Sequence, residues 1–404
     1  MSDLEVAVVG GGPAGALVAA LLARDGHDVT VFERSPAYRW HACGVFASPA
    51  ARAALRRVGL DEATLARVAR PIPAMRVETP GGAAFRLTYG GAAPVGFDRS
   101  ALDPALLEFA VAAGARICTG SRVEAVTLDD ARPELTVRTA SNGPERHRAR
   151  LVVGADGGNS IVARAAGVAR PARLAPRVGL TFHIADRPGD PPADARIRVF
   201  RVGYVGIAPV PGGRVNVGIV LGRAWTGELA ARGAEAVADA VLADIPVIRG
   251  AAGSPADPAA WRRGERLDRV AGASPLGHRV TRRAGRNWLL VGDAAGFLDP
   301  FTGEGLHRAI VSAELAARAA TAALGGSSRA LAVYDRQMRR HFAAKDVVSW
   351  LVQAFLERPA LFEYAARRIE ARGPVRETMG LVMGDLVPAS RALDPRYLGA
   401  LLRP

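Results

Sequence analysis

At 404 residues, with 49% hydrophobic and 23% charged side chains, the chain can bury one large core or two smaller ones, which excludes an intrinsically disordered protein. Its formal net charge of +14 comes from scattered arginines without a basic stripe interleaved with aromatics, which argues against a nucleic-acid partner. The charge has two explanations: the codon usage of a GC-rich host, or a surface for an acidic partner such as a phosphate-bearing substrate, an anionic membrane surface or an acidic carrier protein.

The two cysteines and the lengths of the apolar segments indicate where in the cell the protein is located. Cys43 and Cys118 have neither a disulfide framework nor the spacing of metal ligands, so no metal site is predicted. The first residues lack the basic segment of a signal peptide, and no apolar run reaches the roughly 18 to 20 residues of a spanning helix. We therefore predict a cytoplasmic protein, either free or peripheral at the membrane.

The chain opens with a dinucleotide-binding pattern. A short apolar strand is followed by Gly10-x-Gly12-x-x-Gly15, an alanine-rich helix and a second strand that ends at Glu33. In this pattern the first glycine makes the turn, the second admits a pyrophosphate and the third lets helix and strand pack closely, while the acid accepts from ribose hydroxyls. The predicted contacts are Gly10, Gly12, Pro13, Ala14, Gly15, Glu33 and Arg34.

The middle of the chain alternates between strands and helices. Short alternating segments between Pro71 and Pro94 predict antiparallel strands of an inserted domain. Arg99 stands near the start of the next helix, where it either faces a cofactor or is solvated. A second buried strand ends at Asp156-Gly157, and parallel strands of this kind end at one sheet edge, beside the first glycine turn. Strands and turns are then predicted from Gly167 to about Gly272, and helices from about Ser327.

The segment from Asn287 to Leu306 carries the most chemical information. It is predicted to be a buried strand ending in Gly-Asp, then a Pro/Gly turn, then a helix that begins at Gly305. Backbone N–H groups converge there, which suits an anionic redox-active ring, so we predict a flavin, bound as FAD. The predicted contacts are Asp156, Gly157, Gly292, Asp293, Pro300, Gly303, Glu304, Gly305 and Leu306, together with Arg99.

These motifs together resemble the geranylgeranyl reductase family, within the p-hydroxybenzoate hydroxylase-like superfamily of FAD-dependent oxidoreductases and monooxygenases. The resemblance covers nearly the whole chain and includes Cys43-Gly44, Tyr204 to Pro209, and the flavin turn around Gly292 to Gly305. Family members often carry Tyr-x-Trp at the substrate sheet, and Gly206 takes the place of that Trp. The resemblance also implies FAD contacts by Cys43 and Gly44, and a backbone contact of Val123 with the adenine.

The resemblance implies an α/β fold in three parts. A Rossmann-like FAD-binding domain of the p-hydroxybenzoate hydroxylase type is expected over residues 1–70, 95–165 and 273–326. An inserted antiparallel β-sheet substrate domain is expected over 71–94 and 166–272, and a helical C-terminal region over 327–404.

Two functions remain open. The first is FAD-dependent reduction of C=C bonds in a lipophilic prenyl-type or other natural-product substrate. The second is an FAD-dependent monooxygenase or dehydrogenase of secondary metabolism, acting on a free or carrier-protein-tethered substrate. Because there is one nucleotide fingerprint, electrons are expected from transiently docked NAD(P)H or from a redox protein.

Three side chains are candidates for catalysis, each with a structural alternative. Cys43 either delivers a proton or touches the substrate, or it packs passively. Tyr204 either faces the substrate or is a structural strand residue. His307 is either a proton source or an ordinary helix histidine.

Overall fold

A computed structural model describes residues 2–128, 132–140, 143–172, 177–186, 194–201, 203–244 and 265–403. Its strands are β1 (Ser2–Val9), β2 (Val29–Phe32), β3 (Phe46–Ala47), β4 (Ala69–Pro71), β5 (Met75–Glu78), β6 (Ala84–Leu87), β7 (Val95–Phe97), β8 (Arg116–Cys118), β9 (Arg122–Thr127), β10 (Glu134–Arg138), β11 (Pro144–Gly154), β12 (Ala169–Pro171), β13 (Arg177–Ala185), β14 (Ala195–Phe200), β15 (Gly203–Val210), β16 (Arg214–Leu221), β17 (Ala271–Leu276), β18 (His278–Val280) and β19 (Trp288–Leu290). Its α-helices are α1 (Pro13–Arg24), α2 (Pro49–Val58), α3 (Glu62–Val68), α4 (Arg99–Ala112), α5 (Ile161–Ala165), α6 (Thr226–Asp244), α7 (Gly305–Leu324), α8 (Ala330–Leu356), α9 (Pro359–Ala371), α10 (Gly373–Met383) and α11 (Pro395–Leu402).

The first sheet has a parallel centre. Its order is β8-β2-β1-β11-β10-β9, with β19 also paired to β11. The carboxyl-terminal halves of the central strands β1 and β11 are apolar and buried, and Val6, Ala7 and Val8 are fully buried. On this sheet α1 packs against α7 and α4.

The register of the parallel strands brings their carboxyl ends together. Val9 is the partner of Phe32 on one side and of Gly154 on the other, and Gly154 is in turn the partner of Leu290. The turns that follow these four strands therefore lie at one edge of the sheet.

The second sheet is mostly antiparallel. Its order is β17-β13-β16-β15-β14-β5-β6, so the short strands after Pro71 join those after residue 177. One face is covered by α6, where Phe182 and Ile219 pack with Val237. The opposite face carries Tyr204, Ala208 and Val220 and packs in part against α9.

The fold class predicted from the sequence is confirmed, with one correction inside the second sheet region. Strands and turns were expected throughout Gly167 to Gly272, whereas Thr226–Asp244 is the helix α6. Its apolar side chains recur at helical spacing, including Val237 and Val241, and they cover the sheet. Residues 245–264 of the predicted substrate domain lie outside the described residues.

Candidate active site

The first corner of the site is the turn between β1 and α1. Gly10 has φ +101°, and a Cβ there would lie 2.6 Å from the Ala155 carbonyl oxygen. A Cβ on Gly15 would lie 2.0 Å from the Gly10 oxygen, so both positions exclude side chains. A Cβ on Gly12 would meet no atom within 4 Å. Open space thus lies at the N-terminus of α1, where Pro13 is the first helical residue and no side chain caps the helix.

The acid at the end of β2 lies against this turn. Glu33 Oε2 accepts a hydrogen bond from Gly11 N at 2.8 Å, and Oε1 accepts from Ser35 N at 2.8 Å. Arg34 beside it is exposed. The Glu33 carbonyl accepts from Ser121 N, two residues before Val123 on β9, so the start of β9 also borders this corner.

The second corner follows β11. Asp156 Oδ2 accepts from Ile161 N at 2.6 Å, at the start of α5. Its Oδ1 is buried and has no hydrogen-bond partner in the part of the chain that the structure describes, and burial raises the pKa of this carboxyl group. Gly157 follows with φ +76° and open space at its Cβ position. A buried carboxylate oxygen without a partner is a group that a ligand hydroxyl satisfies.

The third corner follows β19. Gly292 has φ +56°, and a Cβ there would lie 2.7 Å from Ala14 Cβ, so this turn touches the first corner. Asp293 is exposed to solvent, yet desolvation by the surrounding protein raises the pKa of its carboxyl group, with Arg99 opposing. Exposure combined with desolvation is expected for a group that lines a concave site.

The rest of this loop leads into α7. Pro300 begins a 3-10 turn that ends at Gly303, where φ is +65° and a Cβ would lie 2.5 Å from Phe46. Glu304 turns its carboxylate into the protein, with Oε1 3.2 Å from Arg308 Nη1. Gly305, the first helical residue, has open space at its Cβ position, and Leu306 packs against the core of the first sheet.

Arg99 is not solvated. It is 8% exposed, and its Nε and Nη2 donate to both Asp103 oxygens at 2.7 and 2.9 Å. Its Nη1 donates to the Gly44 carbonyl at 3.1 Å. The guanidinium therefore joins α4 to the Cys43-Gly44 loop.

Cys43 lies beside this guanidinium and is a poor nucleophile. Burial raises the pKa of its thiol to about 11, although the Arg99 charge acts in the opposite direction. The group is therefore a neutral thiol near pH 7 and keeps its proton.

This pKa makes a direct prediction for alkylation. In a Cys118→Ser variant, the iodoacetamide rate at Cys43 should keep rising about tenfold per unit between about pH 8 and 10, because the thiolate fraction is still small there. Mass spectrometry of the modified peptide measures the rate. A plateau near pH 9 would contradict the burial of the thiol, and an unfolded control should show that plateau.

Tyr204 is fixed by the third corner. Its hydroxyl donates to Asp299 Oδ1 at 2.7 Å, and its ring packs edge-on against Phe301 with centroids 5.1 Å apart. Asp299 also accepts from Phe301 N at 2.9 Å and from Arg177 Nη1 at 3.0 Å. Tyr204 thus holds the loop before Gly303 against the second sheet, and its catalytic assignment stays a prediction.

His307 points towards the C-terminal helices. Its Nδ1 lies 3.3 Å from Asp385 Oδ2, and Lys345 Nζ lies 2.7 Å from Asp385 Oδ1. Asp385 has φ +57°, in the left-handed region. The histidine therefore lies beside the Lys345–Asp385 ion pair, which joins α8 to the end of α10, and its role as a proton source stays a prediction.

Several polar residues of this region were not found from the sequence. Asp103 could have been found, because it stands four positions after Arg99 on one helix face. Trp40 lies in the Cys43 loop, and its ring centroid is 4.3 Å from that of His183. His183 bonds to Asp268, 85 residues away, and such a separation gives no local signal.

Comparison with known proteins shows the family of this chain. The model of the FAD binding domain family matches residues 3–350. The chain belongs to this family of FAD-dependent oxidoreductases. It is 29% identical to the menaquinone reductase of Mycolicibacterium smegmatis, over 95% of this chain and 92% of that protein. It is also 29% identical to digeranylgeranylglycerophospholipid reductase 2 of Methanopyrus kandleri, over 80% of this chain and 78% of that protein.

A solved structure agrees on the fold. The geranylgeranyl bacteriochlorophyll reductase-like protein of Thermoplasma acidophilum superposes with a TM-score of 0.75 at 21% identity, over 100% of this chain and 96% of that one. The resemblance to the geranylgeranyl reductase family is confirmed.

The corners of this chain fit FAD. The open space at Gly12 and the uncapped start of α1 suit a pyrophosphate, and the unpartnered Asp156 oxygen suits a hydroxyl.

Proposed function

We propose that the chain reduces C=C bonds of a lipophilic prenyl-bearing substrate with one FAD held at the three glycine corners. The proposal is supported by one observation: a chain whose parallel strand ends meet at one edge of the sheet is similar over most of its length to reductases named for menaquinone and for geranylgeranyl lipids. The proposed FAD contacts are Gly10, Gly12, Pro13, Ala14, Gly15, Glu33, Arg34, Cys43, Gly44, Arg99, Val123, Asp156, Gly157, Gly292, Asp293, Pro300, Gly303, Glu304, Gly305 and Leu306.

The protein groups in this proposal bind, orient and keep water out. When bound, FAD would supply the transfer of an electron pair between a donor and the substrate. The start of α7, at Gly305, presents free N–H groups that favour negative charge, a contribution of roughly 0.3 to 1 kcal/mol. The neutral Cys43 thiol carries a proton that it can donate at the edge of the crevice. The division into the three domains with the boundaries given above is part of the same proposal.

The substrate class is tested with a small panel. The FAD-loaded protein is incubated without oxygen with dithionite and either a menaquinone, a digeranylgeranyl glycerophospholipid or a fully saturated analogue. We expect one prenyl substrate to gain two hydrogens at a tail double bond, located by fragmentation in mass spectrometry. Unchanged tails in both prenyl substrates, with flavin fully reduced, would overturn the proposal.

Electrons are proposed to come from transiently docked NAD(P)H, since the described residues carry one dinucleotide corner with an acid at the end of β2. Bleaching of the flavin band on anaerobic addition of NADH or NADPH tests this. Bleaching by dithionite but by neither nicotinamide would assign the role to a redox protein.

Removal of Glu33 should weaken FAD binding. Glu33→Ala removes the carboxylate that borders the first corner and receives Gly11 N and Ser35 N. A hydrogen bond to a charged group contributes about 1.5 to 3 kcal/mol, so FAD affinity should fall at least about tenfold. Titration of apo-protein with FAD measures this. Glu33→Gln, which keeps the length of the side chain and one acceptor, should lie between the two, and wild-type affinity in Glu33→Ala would remove Glu33 from the site.

We also propose that the substrate is reached from an anionic membrane surface. Every helix that the structure describes is either too short or too polar to serve as a membrane span. However, one exposed face of α8 carries two arginines followed by apolar residues at helical spacing: Arg336, Arg340, Ala343, Val347 and Leu351. Val347 is 46% exposed and Leu351 37%. An apolar stripe beside arginines suits the boundary between anionic headgroups and acyl chains.

Negative charges on this face of α8 should weaken membrane binding. The double variant Val347→Glu/Leu351→Glu should lose about tenfold or more in affinity for phosphatidylglycerol vesicles, because two aliphatic side chains no longer bury. Co-sedimentation measures this. Val111→Glu, at a 56% exposed position on α4, is the matched control and should bind normally. Equal binding by both variants, or equal binding to neutral phosphatidylcholine, would contradict the proposed surface.

A further inference from the structure

The second sheet has an open depression in the middle of the face that carries Tyr204 and Ala208. Gly206 on β15 is the cross-strand partner of Gly218 on β16. Among the described residues, a Cβ on Gly206 would meet only the Gly218 oxygen at 3.9 Å, and a Cβ on Gly218 only the Gly206 oxygen at 3.8 Å and Asn216 Oδ1 at 4.0 Å. Glycines in a strand interior mark places where another group approaches the backbone closely.

This depression lies between two loops of the candidate active site, the loop that carries Asp299 and the loop that carries Cys43. On its own strand Gly206 is flanked by Tyr204, bonded to Asp299, and by Ala208, on the same face. Those two flanking positions are about 13 Å apart along the strand, which leaves room for a flat ring. On the neighbouring strands the adjacent row carries Asn216 and its partner His183, which contacts Trp40 of the Cys43 loop.

Two buried nitrogen atoms belong to the His183–Trp40 pair in the adjacent row of this face. His183 is 2% exposed, and its Nδ1 lies 2.6 Å from Asp268 Oδ2, which leaves Nε2 as the free ring nitrogen. Neither His183 Nε2 nor Trp40 Nε1 has a hydrogen-bond partner among the described residues, although both atoms are buried. Trp40 Nε1 can only donate, while the histidine nitrogen accepts from a hydroxyl or donates to a carbonyl. Both requirements are met by ring oxygens.

We infer that this depression binds the oxygen-bearing planar head of the substrate, a quinone or quinol ring lying on the Gly206–Gly218 floor with its oxygens at Trp40 and His183. The inference deepens the proposed function, because it names the head group of the same lipophilic substrate. Asp268 acts as a positioning residue that orients the imidazole. Gly206 is a specificity residue, since the Trp found there in many family members would occupy the same space.

The test uses menadione, a naphthoquinone ring without a prenyl tail, and the oxidised FAD-loaded protein. Quinones quench nearby tryptophans, so we expect saturable quenching that disappears in Trp40→Phe. Gly206→Leu fills the depression and should raise the dissociation constant of menadione at least about tenfold, while Gly206→Ala, whose Cβ fits, should bind like wild type. His183→Phe keeps the ring against Trp40 and should weaken binding about tenfold through the lost hydrogen bond.

The outcomes separate this inference from the proposed function. Gly206→Leu leaves His183 and Asp268 intact, so it tests the binding site even if His183→Phe fails to fold. Flavin content and the thermal unfolding temperature report whether each variant is folded. Wild-type menadione affinity in Gly206→Leu, or unchanged quenching in Trp40→Phe, would overturn the inference, whatever the reductase activity. Conversely, menadione binding that depends on Gly206 would support the site even if no prenyl tail were reduced. The lack of tail reduction would contradict only the proposed function.

Discussion

Gly15→Val is expected to yield protein that is poorly folded and free of flavin. A Cβ at this position would lie 2.0 Å from the Gly10 oxygen, and backbone cannot move away without separating α1 from β1. Overpacking of a core typically costs about 1 to 3 kcal/mol, and here it also distorts the turn at the first corner. The ratio of flavin absorbance to protein, together with the thermal midpoint, measures both effects.

Gly12→Ala is the matched variant three positions earlier. Its Cβ enters open space, so the apo-protein should unfold at the wild-type temperature. The same methyl group lies where we place the pyrophosphate, so FAD affinity should fall. A Gly12→Ala protein with normal FAD affinity would move the pyrophosphate elsewhere, and full flavin content in Gly15→Val would show that the close approach at this turn is not required.

Arg99→Met should strongly destabilise the protein. It leaves Asp103 buried, at 6% exposure, without the guanidinium that donates to both of its oxygens. Breaking a buried ion pair from one side costs about 3 to 5 kcal/mol. Urea unfolding of the variant measures the loss in free energy of unfolding.

The double variant Arg99→Met/Asp103→Leu separates pairing from packing. Replacement of both charges by apolar groups of similar size is often nearly neutral, so most of the lost stability should return. A double variant as unstable as Arg99→Met would show that the bond from Arg99 to the Gly44 carbonyl, which both variants lack, carries the stability instead.

The parts of this molecule that were predictable from sequence are those with local signals. The spacing of Gly10, Gly12 and Gly15 predicts the strand, turn and helix of the first corner. The Pro/Gly turn before Gly305 predicts the start of the last helix of the site. The burial of Arg99 was within reach, because Asp103 follows at the helical interval.

The remaining features depend on contacts between distant segments. The orientation of His183 depends on its bond to Asp268, and the orientation of Tyr204 depends on its bond to Asp299, 95 positions later. The sequence shows that Gly206 stands where family members often carry a Trp. Its pairing with Gly218 across the strands follows only from the register of β15 and β16. The helix α6 was missed because the strands around it dominated the pattern of the whole region.

In the proposed reaction, reducing equivalents pass to a carbon–carbon double bond of the substrate without oxygen. The most direct measurement is the mass of a menaquinone after incubation with the FAD-loaded protein and a reductant, in parallel samples with and without oxygen. Reduction of the quinone ring to a quinol adds the same mass, so every product is first reoxidised at the ring with ferricyanide. We then expect the anaerobic product to remain heavier by two hydrogen atoms, which fragmentation places in the prenyl tail. A product that forms only with oxygen and gains an oxygen atom would contradict this expectation and favour the monooxygenase alternative.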